Sequence, residues 1–547
     1  METTQQPHLK AIGHRGYVEG VTVSSKTTGK PLCNYFGGVR YGLAPPERWR
    51  RSQKLPAGYQ YGTKERPYKC PDGTGNCPQP TFLNGMPIPW DEDCFQCNIW
   101  VPLGTPPKDG WPVFFFMHGG WLQFGTPNMF SPAALLGETD FNAIIVMPAY
   151  RLNVFGFLYS SELESDAASV GETVGNHGFW DQRLALEWTR DNIGVFNGNG
   201  SEITIGGYSA GAHSVCYQLA YDLDLPQSAS IIKRACIWSN SFTIQPKSPA
   251  TAQTQFNDLL SALNISASLP ASEKLSILRS TPATTLLSTI ASLDLHEFRP
   301  TTDNVFIRDS LFKSLTDGTL AQKLRQRGIR LLLGECADEH FLYGAWRPPA
   351  QNTCESVRRR LVADYPQPGA VDTLMTKYFP GGALPESYRD WASDAFGRVY
   401  ADMQVHKMQR GLIYELTKGS GDGNGNTMDN LIYRYRIEYR LKCSEKMIPV
   451  EWGVTHATDQ FIWFWGNGEV VREDERAVIK RAFIDPFTKF VHGVEDLGWG
   501  TKSHKEVRTL RADGAVEIQK DGMWDEAVEL WGDLVAGSGQ ESASAKL

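Results

Sequence analysis

Ile203-Thr204-Ile205-Gly206-Gly207-Tyr208-Ser209-Ala210-Gly211 is the stretch on which the fold turns. Ile203-Thr204-Ile205 reads as a strand buried on both faces. Beyond Gly211, the apolar residues Ala212, Val215, Cys216, Leu219 and Ala220 recur at helical spacing. Strand, sharp turn and helix follow one another with no room for a loop. Within them, Gly207-Tyr208-Ser209-Ala210-Gly211 fits the Gly-x-Ser-x-Gly elbow. A turn that tight strains the serine backbone and projects its hydroxyl, and side chains two residues to either side would clash. The start of the helix also brings unpaired N–H groups close to the serine. Glycines that merely pack a strand against a helix would produce the same spacing, but they leave the serine unexplained.

Working outward, Trp111 to Met117 is a nearly unbroken apolar run, a second strand buried on both faces, and it enters His118-Gly119-Gly120-Trp121. A tetrahedral intermediate carries a negative charge on oxygen. The N–H groups of Gly119, Gly120 and Ala210 are candidates to receive it, because only glycine lets the backbone come so near a substrate. Asn98 to Val101, Ala143 to Met147, Arg330 to Leu333 and Leu431 to Ile437 read as further strands, and Gln182 to Asn192 as a helix. Strands alternating with helices predict an α/β fold with a mostly parallel central sheet flanked by helices. Helical insertions are expected around residues 245–330 and 350–417. One domain over residues 1–535 is expected, with Gly419 to Asn426 a surface loop and 536–547 a flexible tail.

The net charge of -7 argues against a nucleic-acid partner, which calls for a basic face. No apolar run approaches the roughly 18 residues of a membrane span. The start, Met-Glu-Thr-Thr-Gln-Gln-Pro, has no basic segment leading into an apolar core, so no secretory signal is read there. The end, Ala545-Lys546-Leu547, is close to the Ser-Lys-Leu peroxisomal address. An intracellular protein, cytoplasmic or peroxisomal, is the expectation, with secretion left open. In a reducing compartment most of the ten cysteines should be free and buried. Cys70, Cys77, Cys94 and Cys97 fit no common zinc spacing.

With these motifs in hand, the chain resembles the type-B carboxylesterase and cholinesterase family of α/β-hydrolases over roughly residues 20 to 500. Further segments carry the resemblance: Glu92-Asp93-Cys94 with Asn98-Ile99-Trp100; Tyr150-Arg151-Leu152 with Phe155-Gly156-Phe157-Leu158; and Asn176 with Asp181 through Leu186, Trp188 and Asp191-Asn192-Ile193. The resemblance implies an acid after a late strand and a base in a Gly-x-x-His pattern. Glu339 answers to the first, with Asp338 its rival, although His340 stands where the family usually has glycine. His456 answers to the second in Gly453-Val454-Thr455-His456, with His492 its rival, although Ala457 replaces the usual glycine. The order Ser, Glu, His suits the fold. The implied activity is ester hydrolysis through an acyl-enzyme on Ser209, on a small-molecule ester and with no cofactor or metal.

The departures speak to substrate. Cholinesterases and many relatives carry glutamate just before the nucleophile; here it is Tyr208. Without that charge, neutral hydrophobic esters are expected over choline esters. Tyr208, Trp121 and Trp238 are tentative pocket walls, the two tryptophans equally readable as core. The family's disulfide ends match Cys77 and Cys94, which conflicts with an intracellular address; the missing signal weighs slightly more. The same triad could serve an acyltransferase, lactonase or cyclase, and a non-catalytic cholinesterase-like binding protein is a further alternative. Oligomeric state is left open.

Overall fold

The computed structural model describes residues 1–81, 88–242, 244–367, 369–418 and 428–539. The Gly419–Asn426 loop and the terminal Ala545-Lys546-Leu547 lie outside them. The strands that build the sheet are β1 (Thr3–Ala11), β2 (Tyr17–Ser25), β3 (Pro31–Arg40), β4 (Gln96–Pro102), β5 (Trp111–Met117), β6 (Ile144–Pro148), β7 (Gly198–Tyr208), β8 (Ile232–Trp238), β9 (Arg330–Cys336), β10 (Ile432–Ile437), β11 (Glu506–Leu510) and β12 (Val516–Lys520). Their order is β1-β2-β3-β4-β6-β5-β7-β8-β9-β10-β11-β12, with the short strand Tyr68–Lys69 beside β2. From β6 through β11 every pairing is parallel; the pairings at both flanks are antiparallel, except that the short strand Tyr68–Lys69 pairs parallel with β2. This is the mostly parallel sheet that the alternation of elements predicts.

Period-2 geometry divides the core in two. On β5, Val113, Phe115 and Met117 enter one buried cluster, and Phe114 and Phe116 the other. Strands β8 and β9 repeat the division: Ala235, Ile237, Leu331 and Leu333 on one side, Cys236, Trp238, Leu332 and Cys336 on the other. That is why these runs are apolar throughout rather than alternating. Gly206 of β7 makes room on the second face, since a Cβ there would stand 2.4 Å from the Phe114 ring.

Among the helices are α1 (His177–Asn192), α2 (Ala210–Asp224), α3 (His340–Ala345) and α4 (Trp524–Gly539). Five helices occupy Pro249–Ala262 to Thr319–Arg327, where the expected helical insertion falls, and Cys354–Asp364 to Lys407–Thr417 is helical as well. Several elements differ from the sequence reading. Strand β7 starts five residues earlier, at Gly198, because Gly198 pairs with Trp111 before a register shift at Ile203. Strands β11 and β12 carry too many charges to stand out by hydropathy and are held by ladder pairing. Helix α4 continues to Gly539, past the boundary at 535.

Cys77 and Cys94 are joined by a disulfide with Cα atoms 5.2 Å apart. The resemblance implied this pair, and the preference for free thiols is corrected there. The other eight cysteines are free, and all but Cys354 are buried.

Candidate active site

Ser209 sits between β7 and α2 at φ 56° and ψ −127°, a conformation that costs a non-glycine residue on the order of 1–3 kcal/mol. Parallel pairing fixes it: its N–H donates to the Trp238 carbonyl at 2.9 Å, where β8 ends. A Cβ on Gly207 would lie 2.3 Å from the Gly211 carbonyl carbon, and one on Gly211 would lie 2.0 Å from the Met117 oxygen. Both obstacles are backbone, so neither position tolerates a side chain.

The chain leaving β5 passes directly over this turn. A Cβ on Gly119 would stand 2.9 Å from the Ser209 Cβ, and Gly120 adopts φ +108°. Among the described residues, no group accepts from the N–H groups of Gly119, Gly120 or Ala210. His118 holds the loop: its Nδ1 lies 2.8 Å from the Gly119 carbonyl, its ring stacks on Tyr150, and its own carbonyl accepts from the Tyr150 hydroxyl at 2.7 Å. Burial lowers its pKa to about 4, so it is neutral near pH 7.

At the end of β9 and just past it, two glutamates four residues apart have different partners. Glu335 is gripped by Arg410 at 2.8 Å, His406 at 2.8 Å and Arg436 at 2.6 Å. Glu339 instead takes the Cys336 N–H on Oε1 at 2.8 Å and faces His456 Nδ1 with Oε2 at 2.5 Å. Both members of that pair are fully buried. Burial by itself would raise the Glu339 pKa, but the charge and hydrogen bond of His456 outweigh it and hold the carboxyl below its ordinary value. The far edge of the imidazole, Nε2, is buried and makes no hydrogen bond among the described residues. It shares a cleft of about 180 Å³ with Ser209, Gly119 and Gly120. The serine and histidine therefore face each other across one space without a completed bond, as is common before substrate arrives.

The rivals are engaged elsewhere. Asp338 accepts the Val454 N–H at 2.9 Å and so clamps the loop that carries His456. A Cβ at Gly453 would stand 2.3 Å from that carboxylate. His492 lies against the Phe141 carbonyl at 2.9 Å, at the end of another helix. His340 turns toward Asp394, 3.8 Å away.

Tyr208 and Trp121 line the cleft, and the Tyr208 ring lies 4.8 Å from the His456 ring. Trp238 does not line it: its side chain is fully buried and stacks at 4.8 Å on Trp463 in the core. Of the two readings left open for that tryptophan, core packing is the one realised. The remaining walls are mostly apolar, with Phe124, Met129, Phe130, Leu342, Met447 and Phe461 among them.

A family model, described as the carboxylesterase family, matches residues 5–525. The chain belongs to the carboxylesterase family. Its relatives include a carboxylic ester hydrolase of Gibberella moniliformis, 42% identical over 536 residues and 96% of each chain. An uncharacterized esterase/lipase of Schizosaccharomyces pombe is 37% identical over 549 residues and 97% of each chain. Among solved structures, EstA of Aspergillus niger superposes with a TM-score of 0.75 at 19% identity, covering 97% of this chain and 99% of its own. At that identity the likeness speaks for the fold alone. By reaction class this carboxylesterase is a carboxylic ester hydrolase.

Two buried groups of the carboxylesterase site escaped the sequence reading. Asp459, three residues after His456, accepts weakly from Ser239 at 3.3 Å and Tyr435 at 3.4 Å. Burial, with the Glu339 charge behind it, pushes its carboxyl up to about 7. Tyr343, on α3, lays its ring 4.4 Å from the His456 ring. Asp459 could have been suspected as an acid just ahead of the aromatic run Phe461 to Trp465. No local pattern marks Tyr343.

Proposed function

We propose that Ser209 attacks the carbonyl of a neutral, hydrophobic carboxylic ester while His456 takes its proton and Glu339 steadies the imidazolium. Charge on the carbonyl oxygen is received by the N–H groups of Gly119, Gly120 and Ala210, each such donor typically worth about 2.7–4 kcal/mol in the transition state. His456 then protonates the leaving alcohol, and water repeats the sequence on the acyl-enzyme. The observation that carries the reading is the buried Glu339–His456 bond with Nε2 left unpartnered over the cleft that holds Ser209. Glu339 keeps the proton on Nδ1, so Nε2 is the basic edge.

The substrate preference follows from the walls. They are largely apolar, and Tyr208 carries no charge near neutral pH, because burial raises its phenol far above the ordinary value. A quaternary ammonium would be desolvated there with no adjacent anion of the kind a glutamate at 208 would supply. The test is a panel of acyl and alcohol esters, with choline and matched neutral esters side by side, on wild type and Ser209→Ala. Neutral esters should turn over faster, and the variant should lose all turnover. A preference for choline esters would overturn the specificity; turnover surviving in Ser209→Ala would overturn the mechanism.

A further inference from the structure

Tyr343 is 99% buried, and among the described residues its hydroxyl finds no hydrogen-bond partner. A fold normally satisfies such a group or replaces it, and phenylalanine would fill the same volume without the desolvation penalty. The hydroxyl lies beside the hydroxyl of Ser209, near enough to interact with it, though no bond between them is complete. The ring is held from several sides: His456 at 4.4 Å, Tyr400 at 5.3 Å and Trp121 edge-on at 5.8 Å. Its backbone is anchored too. The Leu342 N–H donates to Thr455 Oγ1 at 3.1 Å, tying α3 to the loop that carries His456. Gly344 packs so closely that a Cβ would meet the Ser393 oxygen at 2.3 Å.

We propose that the Tyr343 hydroxyl is a further catalytic group, donating a hydrogen bond to Ser209 Oγ whenever negative charge builds on that atom. The proposal rests on the reading of Ser209 as nucleophile. In acylation, the Oγ–H proton passes to His456 as the Oγ–carbon bond forms, and the alcohol departs with that proton. In deacylation, water adds to the acyl carbon as His456 takes its proton; the Oγ–carbon bond then breaks and the proton returns to Oγ. Oγ bears partial negative charge in both halves. Tyr343 transfers no proton and only shares one, and burial, which raises its ionisation far above the ordinary range, keeps it in the donating form. A neutral donor preset at an oxygen that gains charge only in the transition state lowers the barrier without tightening ground-state binding.

Tyr343→Phe tests this against wild type and Ser209→Ala. Removing a partnerless buried hydroxyl should leave the melting temperature unchanged or raised. Turnover should fall by about 10- to 100-fold in both kcat and kcat/KM, with KM within about threefold. The loss should be equal for nitrophenyl and alkyl esters, because the hydroxyl acts on Oγ and not on the leaving alcohol. Phosphonylation of Ser209 by a fluorophosphonate should slow by a similar factor. Wild-type rates within about twofold, or a loss confined to KM, would make Tyr343 a pocket wall and overturn the proposal. Should the phenylalanine variant melt lower, 3-fluorotyrosine at 343 decides: it keeps the ring and a stronger donor, and must retain wild-type kcat. A wild-type protein inactive on every ester, or an active Ser209→Ala, would instead sink the reading of the site.

Discussion

His456 Nδ1 and Glu339 Oε2 lie 2.5 Å apart although 117 positions separate them in the chain, and neither residue is reached by solvent. A buried carboxylate facing an imidazole at that distance fixes the tautomer and supports positive charge on the ring. Glu339→Gln would keep the shape and remove the charge. We expect kcat to fall by roughly 10³- to 10⁴-fold with little change in KM. Steady-state kinetics on a neutral ester checks this; a loss under tenfold would mean that His456 is oriented by something else.

Gly119→Ala would force a methyl group to within 2.9 Å of the Ser209 Cβ and of the Tyr208 carbonyl oxygen. Neither neighbour is the free end of a flexible side chain, so the loop must retreat from the serine. We expect a loss of about 10²- to 10³-fold in kcat, the scale of one lost oxyanion donor, with the fold retained. Circular dichroism beside the kinetics separates this from unfolding.

Ala457 holds φ 84° immediately after His456, where the family usually has glycine. A Cβ in that region costs about 1–2 kcal/mol relative to glycine. Ala457→Gly should therefore gain about 1 kcal/mol of stability once the greater freedom of glycine in the unfolded chain is set against the relief. Urea unfolding measures it, and a destabilised variant would show that the Ala457 methyl packs usefully against the cleft.

Asp459 should make stability depend on pH in the direction opposite to a paired carboxylate. Its carboxyl is held at about 7 in the fold, against about 3.9 in an unfolded chain. Between those values the unfolded chain has released the proton and the folded chain has not. Stability then falls as pH rises from about 4 to about 7, by up to roughly 1.4 kcal/mol per pH unit, and is level above. Asp459→Asn should remove that slope. Urea titrations of both proteins at several pH values between 4 and 8 give the difference, and parallel slopes would contradict it.

Much of this was local and could be read in the chain. The serine elbow needs a strand, a reversal and a helix within a dozen residues, and Gly207 and Gly211 are dictated by backbone atoms that any such turn brings close. The apolar runs from Trp111 and from Arg330 announce strands covered on both faces, because burial on both sides leaves no position for alternation. Glu339 and His456 were legible through their order and their neighbours, not through anything that said they would touch.

What the chain could not say depends on which face a residue presents and on what distant element meets it. Trp121 and Trp238 read alike, yet one lines the cleft and the other stacks on Trp463 in the core, a difference set by long-range packing. Glu335 and Glu339 are both late glutamates near a strand end. Arg410, far along the chain, occupies the first and leaves the second to the histidine. The hydroxyl of Tyr343 has no local signature, since only the meeting of α3 with β7 and the His456 loop sets it beside the serine. Periodicity and turn chemistry act over a few residues and are written in order; the surroundings of a buried polar atom are made by segments hundreds of residues apart, and only the closed fold brings them together.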